Sequence, residues 1–198
     1  MVSEPMTLAT DYLLGAVTAW LALLLFRKSE AQRSRRWWAA AFAALALAAF
    51  LGGTWHGFFQ SKLLWKATLL TIGCASFAMV VGSACATLSG LARQALVTVA
   101  LAKVVAYSAW MLGHDAFIFV VIDTAIAFAI VAVLHLWRWN GFLLAGVVLS
   151  VVAGLVQASG FAPHPHFNHN DLYHVIQLAA IALLYLGARR LTDSVALR

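Results

Sequence analysis

Charge is what this sequence lacks most. Only 10% of its 198 residues are Asp, Glu, Lys or Arg, where soluble domains carry about 25%. Acids are scarcer than bases, seven against thirteen. No polar stretch is long enough to build a soluble domain, so residues 1–198 are expected to form a single transmembrane domain. The N-terminal Met-Val-Ser-Glu-Pro lacks the basic segment of a signal peptide, and the first apolar run reads as a retained span. Cysteine is limited to Cys74 and Cys85. On one helix they stand about 16 Å apart, beyond the roughly 7 Å that a disulfide permits. Both are expected to be small buried core residues. Three prolines are present, and two of them fall in one segment, described below.

Apolar residues fill the rest. They make up 64% of the chain, and the mean hydropathy is +0.90. About 20 such residues cross the hydrocarbon of a bilayer. The pattern predicts an all-α, polytopic membrane protein: seven transmembrane helices over about 8–26, 37–60, 67–90, 95–113, 116–136, 141–160 and 171–188, with short connections. No internal repeat stands out. The net charge of +6 raises the question of nucleic acid, but its distribution indicates membrane orientation instead. With the N-terminus outside, Arg27, Lys28, Arg33, Arg35, Arg36, Arg93, Arg138, Arg189, Arg190 and Arg198 lie inside, and only Lys62 and Lys66 lie outside. This asymmetry predicts an outer N-terminus and an inner C-terminus. The chain then sits in a bacterial inner membrane or a plasma membrane, facing the periplasm or exterior.

Histidine follows a different bias. His56, His114, His164, His166, His169 and His174 all fall at the outer end, and only His135 is inner, where Trp137, Arg138 and Trp139 suggest an interfacial anchor. Four histidines crowd into Phe161-Ala-Pro-His-Pro-His-Phe-Asn-His-Asn-Asp-Leu-Tyr-His-Val-Ile-Gln177. An excess of inner cations does not account for this.

Two histidines carry the functional expectation. His56 lies in Leu51-Gly-Gly-Thr-Trp-His-Gly-Phe58, about one turn before the end of span 2. Gly53 and Gly57 make a small-residue pair that lets a neighbouring helix approach, which explains the glycines but not His56. An ionisable group inside a span is a functional hypothesis by default. His174 lies about one turn into span 7, on a stripe with Asn170 and Asp171, with Gln177 one turn deeper. Asn168 or Asn170 suits the helix N-cap, and Asp171 suits the dipole of the first turn. His169 falls just before the stripe. His164 and His166 read as solvated loop residues, as do His114 and Asp115. Asp123, two turns into span 5, must face the bundle and find a partner. Lys103 is one candidate, although their depths differ by about two turns. Orienting a metal-bound histidine is the other role open to Asp123.

His56, His169 and His174, with Asp123 or Asp171 nearby, would make a three-histidine site with an open position. Such a donor set suits zinc, which lowers the pKa of bound water to about 7. At the lipid boundary, that chemistry would reach an ester or amide near the headgroups.

The pattern resembles the superfamily of seven-span hydrolases that includes the alkaline ceramidases and the adiponectin and progestin receptors. The resemblance implies zinc held by one histidine of span 2 and two of an HxxxH opening span 7, with a serine and an aspartate completing the site. His56 matches the span-2 histidine and His174 the second of the HxxxH. Asn170 occupies the first position, beside His169. The serine position is Gly52, with Thr54 near it, and the aspartate position is Ala67. Asp123 or Asp171 would then stand in for the acid. The implied activity is that of a ceramidase-like amidase on a membrane lipid.

Two other functions fit the same residues. His56 and His174 could serve as axial ligands to haem. Alternatively, Lys103, Asp123, Gln157 and Gln177 could line the polar path of a transporter or receptor whose outer histidines sense pH.

Overall fold

The computed structural model describes residues 3–194. Among the described residues there are seven helices and no strand: α1 (Pro5–Arg27), α2 (Arg33–Gly57), α3 (Lys62–Thr87), α4 (Gly90–Gly113), α5 (Ile118–Trp137), α6 (Gly141–Ser159) and α7 (His169–Ala188). Each is long and apolar enough to span a membrane, and the chain is a multi-pass integral membrane protein. Six helices close a ring in which α1 packs on α2, α2 on α3, α3 on α5, α5 on α6, α6 on α7 and α7 on α1. Helix α4 stands outside the ring against α3, and faces such as that of Leu101, Val105 and Leu112 are exposed.

Local signals fix the ends. Pro5 opens α1, where its missing N–H costs nothing. The side chains of Ser61 and Asn140 accept N–H bonds at the starts of α3 and α6. Gly160 ends α6 with φ of 68°, a left-handed conformation suited to glycine. Helix α2 begins at Arg33, earlier than its apolar run, because the Asp193 carboxylate accepts the N–H groups of Arg33 and Ser34 at 2.8 Å each. It also stops at Gly57, so His56 occupies the last turn rather than the turn before it.

Two expectations about burial are corrected. His135 is not an interfacial anchor. It is 1% exposed and continues the buried stripe of Asp123, Ala127 and Val131 on α5, while its neighbours Trp137 and Trp139 face outward. Cys74 is exposed, and only Cys85 is buried.

Candidate functional site

The ring encloses a cavity of about 470 Å³. Its deeper wall is apolar, with Leu45, Ile72, Met79, Phe128, Ile181 and Leu184. Its other end carries His56, His169, Asn170, His174, Gln177 and Asp11. Between α5 and α6 the cavity reaches the surface of the bundle, where Ala125, Val151 and Leu155 both line it and are exposed. A side chain added at Gly154, also on this wall, would meet nothing within 4 Å. A smaller hollow of about 260 Å³ at the opposite end is bounded by Arg33, Arg36, Trp37 and Ala40.

The centre of the polar end is a close His–Asp contact between helices at opposite ends of the sequence. His174 Nε2 lies 3.1 Å from Asp11 Oδ1, and its Nδ1 lies 2.9 Å from Thr10 Oγ1. Thr10 Oγ1 donates to Thr7 O at 3.1 Å, which leaves its oxygen to accept from His174 Nδ1. Both His174 and Asp11 are buried. Asp11 belongs to a stripe of buried polar residues on α1 with Thr7 and Thr18, at spacings of four and seven residues that keep them on one helix face. That stripe, the signal that could have singled out Asp11, is readable in the sequence.

Close packing of α1 on α2 sets the carboxylate in place. A Cβ added at Gly53 would lie 2.7 Å from the Tyr12 ring and 2.9 Å from Asp11 Cβ, and one at Gly57 would lie 2.7 Å from Leu8. The small-residue pair therefore receives α1. A Cβ at Gly52 would point at Asp11 Oδ2 from 3.8 Å, so the position matched to the serine of the resembling hydrolases faces the Asp11–His174 pair.

His56 reaches the same cavity from α2. Its Nδ1 lies 3.0 Å from Glu4 Oε2, and its Nε2 makes no hydrogen bond among the described residues.

The remaining candidates are placed as follows. Asn170 and His169 line the cavity, and Asn170 Oδ1 accepts from Gln157 Nε2 at 3.5 Å. Asn168, not Asn170, is the N-cap of α7, and Asp171 completes a capping box with it. Asp171 accepts the Asn168 N–H through Oδ2 at 2.7 Å, while its Oδ1 is buried without a partner. Thr54 is not among the lining residues; its hydroxyl donates to Phe50 O and meets Tyr12 OH at 2.9 Å. Asp123 is not among them either. It pairs with Lys103, whose ammonium also donates to Ser76 Oγ at 2.9 Å. Counting depth along the backbone overstates the separation, because the long lysine stem carries its ammonium well away from its own Cα. Of the polar path drawn through Lys103, Asp123, Gln157 and Gln177, only the two glutamines border the cavity, and Gln177 donates to Ser150 Oγ at 3.1 Å. His164 and His166 are exposed in the loop before α7, and His114 stacks on Trp110.

Among the described residues no three His, Cys, Asp or Glu side chains stand at metal-ligand spacing. A pair does: tetrahedral ligands about 2.0 Å from zinc lie roughly 3.3 Å from each other, close to the 3.1 Å between His174 Nε2 and Asp11 Oδ1. His56, whose Nε2 is uncommitted, borders the same cavity.

Residues 6–193 match a family described as being of unknown function (DUF6962). The chain belongs to that family. No curated protein and no solved structure matches the chain.

Proposed function

We propose that this protein is a zinc-dependent intramembrane hydrolase that cleaves an ester or amide of a membrane lipid at the outer end of the bundle. The observation that carries this reading is the buried Asp11–His174 pair, set with His56 at the polar end of a cavity whose remaining wall is mostly apolar and which reaches the surface between α5 and α6. The likeness to the seven-span hydrolases at His56 and His174 points the same way, as does the crowding of Lys and Arg at the other end.

The donor set supported best is His174, Asp11 and His56, with Asp11 taking the place first given to His169 or Asn170. Zinc held there would supply a hydroxide at neutral pH. The chain's own groups do the rest. The apolar depth of the cavity holds an acyl chain, and the opening beside α5 and α6 admits it without passage through water. Gln177 and the Gln157–Asn170 pair offer hydrogen bonds to polar atoms near the scissile bond. With Asp11 Oδ1 serving as the donor, its Oδ2 would accept the proton of the attacking water and return it to the leaving group. Thr10 holds the His174 ring through Nδ1.

Hydrolysis of fluorogenic lipid amides and esters by protein in nanodiscs tests the reading. Asp11→Asn and His174→Ala are each expected to lower the rate at least about a hundredfold, and chelation to abolish it until zinc is restored. Turnover unaffected by either variant and by chelator would overturn it. A Soret band in the purified protein would favour haem instead.

A further inference from the structure

The residues before α1 make two kinds of contact with the end of α2. Ser3 donates its N–H to Gly57 O at 3.2 Å and its hydroxyl to His56 O, so two of the carbonyls that a helix end leaves unpaired are satisfied. Glu4 follows, at the N-cap of α1. An acid there ordinarily turns back onto its own helix. Glu4 makes no such bond. Its carboxylate reaches His56 Nδ1 at 3.0 Å instead. Ser3 and Glu4 therefore hold both the backbone and the ring of one residue.

We infer that Glu4 is the positioning residue of His56, fixing its proton on Nδ1 and leaving the Nε2 lone pair directed at the cavity. The chemistry is general. An ionised carboxylate is an acceptor only, so the ring nitrogen facing it must be the donor, and in the neutral ring the other nitrogen is then bare. Metal-binding histidines are commonly oriented in this way, by a carboxylate on the nitrogen away from the metal. His56 is largely shielded, with its side chain 16% exposed, so the contact is partly removed from water. The metal-binding consequence rests on the zinc reading above. The tautomer does not.

Two readouts separate these claims. The first is the imidazole ¹⁵N shifts of metal-free protein in micelles, with His56 assigned by its substitution. Wild type is expected to show the Nδ1–H form at His56. Glu4→Gln keeps an acceptor and should retain that form, whereas Glu4→Ala should lose it. The second is zinc affinity by competition with a chromophoric chelator. Glu4→Ala should bind about 10- to 100-fold more weakly, with Glu4→Gln between it and wild type. If wild type binds no zinc but the tautomer follows Glu4 as described, the zinc reading falls and the positioning role stands. An unchanged His56 tautomer in Glu4→Ala would overturn the inference, as would zinc affinity within twofold of wild type. Circular dichroism confirms that the variants remain helical.

Discussion

Asp11, Asp123 and Asp171 are buried in the spanning helices; Asp171 caps its own helix, and the other two are treated differently from each other. Asp123 on α5 meets the ammonium of Lys103, which also holds Ser76. That centre joins α4 to the ring, lies away from the cavity and pairs its charge within the bundle. Asp11 on α1 meets only the imidazole of His174 and borders the cavity. Asp171 and Glu4 lie close enough for their charges to reach it, and no Lys or Arg lines that wall. In a medium where an isolated charge is costly, the first arrangement neutralises its charge, although Asp123 Oδ2 is buried without a hydrogen-bond partner. The second borders open space with no ammonium or guanidinium beside it.

The largest effects should come from breaking each centre separately. Lys103→Ala leaves Asp123 buried without its cation, a loss of about 3–5 kcal/mol. It is expected to lower the thermal midpoint in detergent sharply while any folded fraction keeps its zinc. The double variant Lys103→Met, Asp123→Leu should recover most of that stability, because apolar replacement of a buried pair is often neutral. Asp11→Ala should show the reverse pattern, with zinc and turnover lost and the midpoint little changed. If both centres respond alike, the contrast between them fails.

A smaller effect is expected at the side opening. Gly154→Phe adds a ring where a Cβ meets nothing, so the thermal midpoint should hold. Turnover of a bilayer-resident lipid should fall several-fold while that of a short-chain soluble ester is kept. Equal loss on both substrates would argue against entry between α5 and α6.

The smallest effect lies at the arginine-rich end. Burial pushes the Asp193 carboxyl up, but the hydrogen bonds from Ser34 and Arg33 outweigh it and hold the group below the usual carboxylate range. A depressed carboxyl stabilises the fold above its unfolded value of about 3.9, and that contribution is lost as pH falls through the lower folded value. Asp193→Ala should therefore cost about 1 kcal/mol at neutral pH, the usual worth of a cap. Melting curves of wild type and variant should converge below about pH 4. A constant gap down to pH 2 would contradict this.

Much of the fold was legible because apolar run length is a property of each segment alone. The helix ends were less so: α2 takes its N-cap from Asp193, 160 residues away from Arg33 in the chain, and no local pattern reveals that. The histidines of the site stood out because imidazole is rare in a span. Asp11 was visible only as one acid among several, although Thr7, Asp11 and Thr18 share a helix face. The pairing of Lys103 with Asp123 was underrated because depth was counted along the backbone, without the reach of the lysine stem. His135 was misplaced by its exposed tryptophan neighbours, since adjacent residues on a helix face different ways.

Metal content of the purified protein, with an anomalous-scattering map at the zinc edge, tests the contrast most directly. About one zinc per chain is expected in wild type and in Lys103→Met, Asp123→Leu, located between Asp11, His56 and His174, with little in Asp11→Ala or His56→Ala. Equal zinc in all four proteins, or none in wild type after incubation with the metal, would contradict the assignment.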